Sequence, residues 1–242
     1  MKKTVKSVVC ILLILTLSLS TGLLAYLHFF APGDRDVSGE WTAGLHMTNQ
    51  AAARAFGWLR DIEAVSVSLE EVEAGMQDLD IEVSLVFEKT DRSGGNFRCS
   101  VLPESYEACR QAAYEAFAGV FLELLAERLR MAGYTGGTDR ESLEALVAGA
   151  FGMSTVDYLM SHGPALLPSL EELQDGYEGS GTYKVEEGIV TRYFEEDGTI
   201  IQEGYIRKDS SLVLSGGTDD ADSGSFRGHD PAVYTLKQPE SQ

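Results

Sequence analysis

The pattern of apolar and polar positions divides the chain into an unbroken apolar run near its start and a long patterned region after it. Residues 8–30 form 23 consecutive positions without a charged side chain, shortly after Lys2, Lys3 and Lys6. A helix of this length crosses a hydrocarbon core of roughly 30 Å. Because the lysines precede the run and no basic cluster follows it, we expect the N-terminus to stay in the cytoplasm. The pattern predicts a single-pass cell-membrane protein, with a cytoplasmic stub and transmembrane signal-anchor over residues 1–30.

A cleaved signal peptide is the alternative interpretation of the same run. Its best cleavage site, residues 20–22 (Ser-Thr-Gly), lies inside the apolar stretch and would leave residues 23–30 exposed on the product. An uncleaved anchor avoids that exposure. Residues 31–37 are then a short linker to an extracytoplasmic domain.

Beyond residue 37, stretches in which apolar and polar residues alternate predict β-strands. Three of them lie at residues 38–47, 81–87 and 97–102, and a turn at residues 91–95 joins the last two into a hairpin. Four more are predicted at residues 181–186, 189–195, 199–207 and 211–215. Glu187-Gly188 and Asp197-Gly198 separate the first three of these, and such dipeptides favour hairpin turns because glycine adopts positive φ. We therefore expect an antiparallel meander after Gly176.

A helical period replaces the alternation in two regions of the chain. The longest predicted helix begins at Pro103 and ends before Gly133, as is typical of these two residues at helix ends. Shorter helices are predicted at residues 49–60, 69–76, 140–151, 154–160 and 169–173, each near a Ser, Thr or Asp that can cap its first turn. Residues 103–175 are thus a helical insertion between strands.

The C-terminal residues 216–242 are rich in Gly, Asp and Ser and are predicted to be an acidic, disordered tail. Within them, residues 232–236 (Ala-Val-Tyr-Thr-Leu) are either a last edge strand or part of the tail, and both interpretations stay open. Together the patterns predict an α+β fold over residues 38–215. Its centre is an antiparallel β-barrel or meander of about seven to eight strands.

Two short motifs carry a resemblance to a known kind of protein. Gly39-Glu40-Trp41 opens the first strand, and Gly181-Thr182-Tyr183 opens the closing meander. In this the chain resembles the lipocalin-like small β-barrels of membrane-anchored envelope proteins of anaerobic Gram-positive bacteria. The resemblance implies that the tryptophan plugs one end of the barrel. The helical insertion departs from an ordinary lipocalin, so either the barrel carries a helical lid or the analogy of a ligand cavity fails.

The charge balance excludes two classes of partner. All 38 acidic residues but only 16 of the 19 basic ones follow residue 30, so that part carries a net charge of −22. Nucleic-acid binding needs lysine and arginine to neutralise phosphates, and docking on anionic lipid needs the same. Acidity that keeps an exported domain soluble and acidity that attracts a cationic partner both remain open.

The sequence predicts no catalytic, cofactor-binding or metal-ligating residue. Its four histidines, His28, His46, His162 and His229, are scattered and have no cysteine near them at zinc-ligand spacing. The serines lie in no Gly-x-Ser-x-Gly context, and there is no phosphate-binding loop. We therefore expect a protein that is not an enzyme and has no cofactor.

Cys99 and Cys109 are the sharpest local signal. One precedes the long helix on a strand, and the other lies in the second turn of that helix. Outside the cytoplasmic membrane a disulfide between them would persist and join strand to helix. Two buried thiols are the alternative.

Two functions fit these observations. The first is a tethered, non-catalytic binding module that holds a small apolar ligand or an envelope protein. Its cavity would be lined by aromatic residues that otherwise simply fill the core: Trp41, Phe87, Tyr183, Tyr193 and Tyr205. The second is a structural or interaction protein of the cell envelope that docks a partner through its helical block.

Overall fold

The computed structural model describes residues 36–61, 67–215 and 232–237. The predicted anchor at residues 8–30, residues 31–35 of the linker, and residues 216–231 and 238–242 of the predicted tail lie outside this part of the chain. Within the described part, no helix is both long enough and apolar enough to cross a membrane. The fold described below belongs to one compact unit, Ser38–Gln242.

Eight strands form a closed antiparallel barrel in which each strand pairs with its neighbours in the sequence. They are β1 (Gly39–His46), β2 (Asp80–Lys89), β3 (Gly94–Val101), β4 (Gly179–Glu186), β5 (Ile189–Phe194), β6 (Ile200–Lys208), β7 (Ser211–Ser215) and β8 (Ala232–Leu236). The α+β class and the antiparallel barrel are confirmed, and the architecture is compatible with a lipocalin-like barrel.

The last strand closes the barrel. β8 pairs with β7 along its length and with β1 through Trp41–Leu236 and Thr42–Thr235. The strand interpretation of residues 232–236 is therefore confirmed, and their assignment to a tail is wrong. This short segment is ordered because it pairs on both sides, which leaves the sheet without an open edge.

Six helices lie in two connections between strands. α1 (Thr48–Asp61) and α2 (Leu69–Gly75) join β1 to β2. α3 (Pro103–Met131), α4 (Arg140–Phe151), α5 (Thr155–His162) and α6 (Leu170–Tyr177) join β3 to β4. Since antiparallel neighbours alternate in direction, both connections leave the barrel at the same end. We call this the helical end, and the opposite one, which carries the three short hairpin turns, the hairpin end.

Local sequence signals explain where these elements begin and end. Ser68 and Ser169 each accept a hydrogen bond from the third residue of the following helix, and the glutamate there reaches back to complete a capping box. In the β4–β5 turn, Glu187 and Gly188 have φ values of 53° and 80°, as the predicted hairpin requires. α6 continues to Tyr177, four residues beyond its predicted end, so Gly176 does not break it.

Candidate functional site

The barrel interior is the place where the sequence predicts a ligand cavity. Residues alternate between inside and outside along each strand, and the register places Trp41, Leu85 and Cys99 side by side on the inner face. All three side chains are buried. An eight-stranded barrel is just wide enough for side chains to fill it or for one small ligand to bind, so the occupants of the inner positions decide between these possibilities.

Four aromatic rings from neighbouring strands pack together inside the barrel. Phe87 and Tyr183 have ring centroids 4.7 Å apart, and Phe97 and Phe194 have theirs 4.9 Å apart, both in edge-on contact. Phe87 also contacts Phe97, at 6.5 Å, which joins the two pairs. These distances are typical of packed aromatic cores. The rings fill this part of the interior.

A buried ion pair lies beside the aromatic cluster. Arg192 on β5 donates from Nε and Nη2 to one oxygen of Glu203 on β6, at 3.0 and 2.7 Å. The side chains are 2% and 3% exposed, and the guanidinium lies 5.8 Å from the ring centre of Phe97 and 5.7 Å from that of Phe194. Burial is the strongest influence and lowers the pKa of Arg192, but the carboxylate of Glu203, together with Tyr234, Cys99 and Tyr177, more than offsets it, so that the pKa is raised. Arg192 thus stays charged and paired.

A second polar contact joins the helical insertion to the closing strand. The hydroxyl groups of Tyr177, at the end of α6, and Tyr234, on β8, are 3.1 Å apart and buried. The Cys99 thiol donates to the carbonyl oxygens of Tyr177 and Gly179, at 3.1 and 3.4 Å. Burial raises the pKa of both tyrosines, and that of Tyr177 lies well above its usual value. Both hydroxyls therefore remain protonated, and one of them donates a hydrogen bond to the other.

The five aromatic residues predicted for the cavity have three different fates. Trp41, Phe87 and Tyr183 are buried inside the barrel, and the guanidinium of Arg207 lies 5.3 Å from the Trp41 ring centre. Tyr205 faces inward and is half-buried. Tyr193 is wrong as a cavity or core residue, because the alternation on β5 places it on the outer surface, where it is 41% exposed.

The polar residues of the interior were missed by the sequence analysis. Arg192 and Glu203 lie at inward positions, in line with the buried residues Val190, Phe194 and Ile201. Two oppositely charged residues at inward positions of neighbouring strands indicate a buried ion pair, and this pattern could have identified them from the sequence. Tyr177 and Tyr234 are 57 positions apart, and no local pattern connects them.

Cys99 and Cys109 are both buried thiols, and the disulfide expected between them is not formed in the structure. Cys99 points into the barrel, whereas Cys109 lies on α3, which packs against β2 from outside the barrel. Burial, with a smaller contribution from Asp80, raises the pKa of Cys109 to about 11. The Cys109 sulfur is therefore an unreactive thiol at neutral pH.

The outer surface of β5 to β8 differs from the rest of the chain, and we call it the neutral wall. Its large apolar side chains are exposed, with Ile206 at 69% and Val233 at 58%. Val213 pairs with both of them, so the three form one row across three strands. Ile189, Tyr193 and Ile200 extend the apolar surface on β5 and β6. Among the outward side chains described on these four strands there is no carboxylate and one lysine, Lys208.

Acidic turns border the neutral wall at both ends. Glu187 and Asp209 lie in turns at the hairpin end, and Glu195, Glu196 and Asp197 lie in the β5–β6 turn at the helical end. All five are exposed. The wall is thus an apolar surface without a carboxylate of its own, between two groups of carboxylates.

The surface outside the barrel has clefts in the part of the chain that the structure describes. One, of about 290 Å3, opens between α3 and α4. Another, of about 240 Å3, lies on the outer face of β2, β3 and β4 beside Glu88 and Arg98. In the described part of the chain, no group of three or more His, Cys, Asp or Glu side chains could hold a metal ion.

Comparison with protein-family models, with curated proteins and with solved structures finds no significant match for this chain.

Proposed function

We propose that this protein is a membrane-tethered, extracytoplasmic, non-catalytic binding module that docks an envelope protein on the neutral wall. The observation that supports this most is the wall itself, a row of exposed aliphatic side chains without a carboxylate in a chain of net charge −19. Contiguous exposed apolar patches bordered by polar residues are typical of protein interaction sites.

The packing of the barrel interior favours a protein that binds its partner on the outer surface over one that holds a ligand inside the barrel. Its inward positions hold packed aromatic rings, and its charged groups, Arg192 and Glu203, are paired with each other. A buried ligand would have to displace these contacts and leave buried polar groups unsatisfied, which is costly. The proposal therefore places the partner outside the barrel.

The charges around the wall specify the chemistry of the partner. A second copy of this chain would bring one set of acidic turns against another, and like charges across an interface disfavour binding. A suitable partner has an aliphatic centre and a rim of lysine and arginine. Its centre would pack on the neutral wall, and its rim would contact the carboxylates of Glu187, Asp209 and Glu196. This is the occupant that we propose.

The test uses the full-length chain in the membrane of its native host. A photo-crosslinking amino acid at Ile206 should trap one protein with a basic surface, and the same amino acid at Thr182, exposed on the outer face of β4, should not. Val233→Glu should abolish the product, and raised salt should weaken it because the rim contacts are screened. Equal products from both positions, or a product that Val233→Glu leaves intact, would overturn the proposal.

Native mass spectrometry of the purified protein separates this function from an internal ligand. We expect no ligand inside the barrel, so that any small molecule bound to the chain should be lost in Gly119→Leu, which fills the cleft between α3 and α4. A small molecule that stays bound in both the Val233→Glu and the Gly119→Leu variants would instead place the binding function inside the barrel.

A second candidate surface lies on the helical block. Met131 and Tyr134, at the end of α3, and Phe151, at the end of α4, are 66%, 41% and 51% exposed. Phe151 packs on Tyr158, at 4.3 Å between ring centroids, so its position is fixed. The same crosslinker at Met131 tests this surface, and a product there but not at Ile206 would move the docking site to the helices.

A further inference from the structure

The cleft between α3 and α4 combines an apolar floor with a basic rim. Leu122, Ala126 and Leu143 form the floor and are buried in a small cluster shared by the two helices. Arg130 and Arg140 line the cleft and are exposed. Hydrocarbon and guanidinium groups are thus presented together on one side of the molecule.

A glycine in the middle of α3 opens this cleft. Gly119 lines it, and a Cβ atom built at this position meets nothing within 4 Å. Glycine destabilises a helix interior relative to alanine, and no close packing requires it here. The missing side chain of Gly119 leaves the cleft open at this point.

The charges of the cleft favour an anion. Two guanidiniums, on Arg130 and Arg140, lie beside a single carboxylate, that of Glu123, in a chain that is otherwise strongly acidic. Arg130 donates from Nε to Thr138 Oγ1, at 3.4 Å, which holds its head group beside the cleft. The carboxylate of the adjacent Asp139 is already engaged as the N-cap of α4, where it accepts a hydrogen bond from the backbone N–H of Ser142.

We propose that this cleft binds a single-chain aliphatic carboxylate, with the hydrocarbon on the floor and the carboxylate between Arg130 and Arg140. A volume of about 290 Å3 is at the lower limit of small-molecule sites and suits one chain of medium length. Guanidinium groups pair with carboxylates through parallel hydrogen bonds. The proposal does not rest on the neutral wall, which lies on the barrel.

Site-specific modification of arginine tests this in the full-length chain, with octanoate as the probe. A dicarbonyl reagent modifies exposed arginines, and mass spectrometry reads each position separately. Octanoate should slow modification of Arg130 and Arg140 about threefold or more, and should leave Arg92, exposed in the β2–β3 turn, unchanged. Octylamine, with the same chain and the opposite charge, should protect none of them. Equal protection of Arg92, protection by octylamine, or no protection at all would overturn the proposal.

Two glycine variants show whether the ligand lies in the cleft. Gly119→Leu should fill the space and abolish protection. Gly149→Leu is the matched control, since Gly149 is also a helical glycine with open space around its Cβ position but does not line the cleft. Protection that survives Gly119→Leu in a folded variant would refute the site.

Arg130→Gln provides an independent measurement, because it changes an exposed side chain and leaves the floor intact. It should reduce octanoate protection of Arg140 about twofold or more, within the range of exposed ion pairs. Unchanged protection of Arg140 would show that octanoate does not bind with its carboxylate between the two arginines, and would overturn the proposal.

Discussion

The buried ion pair between Arg192 and Glu203 gives the sharpest prediction about the fold. Glu203→Gln removes the negative charge and keeps the size of the side chain, so a charged guanidinium stays inside the barrel without its counter-ion. Arg192 cannot relieve this by losing its proton, since arginine is effectively always protonated. Both side chains are at most 3% exposed, so water cannot replace the carboxylate unless the barrel opens.

The expected cost follows from that burial. Breaking a buried ion pair by removing one partner costs about 3–5 kcal/mol. Because the glutamine oxygen can still accept one hydrogen bond from Arg192, we expect the lower limit, about 3 kcal/mol. For a domain of this size that lowers the melting temperature by about 6–12 °C.

Urea unfolding followed by circular dichroism measures the change. Glu196→Gln, which neutralises an exposed carboxylate in the neighbouring turn, is the control and should alter stability by less than about 0.5 kcal/mol. Replacing both partners, as Arg192→Leu with Glu203→Leu, should cost less than the single change, because no unpaired charge remains. A loss below about 1 kcal/mol for Glu203→Gln, or a double variant less stable than the single one, would refute the reasoning.

Three further changes test other parts of the structure. Ser169→Ala removes the capping box of α6 and should cost about 1 kcal/mol in urea unfolding, and an unchanged midpoint would contradict this role. Gly181→Ala would place a Cβ atom 1.9 Å from the carbonyl oxygen of Tyr193, so we expect a loss of about 3 kcal/mol or more, whereas a stable, soluble variant would show that β4 and β5 are packed less closely. The raised pKa of Cys109 means that the folded chain holds the thiol proton more tightly than the unfolded chain does. The resulting contribution to the free energy of unfolding is fully present below about pH 9 and is lost as pH rises toward about 11. Unfolding at pH 8 and pH 10 should show a smaller decrease for Cys109→Ala than for the native chain, and equal decreases would assign the loss to other groups.

Much of the secondary structure was predictable from residues close together in the sequence. The period of two in the strands, the helical period after Pro103, the Glu187-Gly188 turn and the serine caps at Ser68 and Ser169 all act within a few positions. Such signals depend on the local backbone and on one buried face, so they hold whatever the rest of the chain does.

Which side chains lie inside the barrel and which lie on its surface depended on the tertiary structure alone. Residues 232–236 form a strand because β7 and β1 both pair with them, and Tyr177 meets Tyr234 only once the barrel closes. The alternation could not say which face of β5 and β6 is inside, so it placed Tyr193 in the core and left Arg192 unnoticed. The neutral wall joins side chains from four strands, and the α3–α4 cleft joins two helices. Each exists only after packing brings distant segments together, because a surface is a property of neighbours in space rather than in sequence.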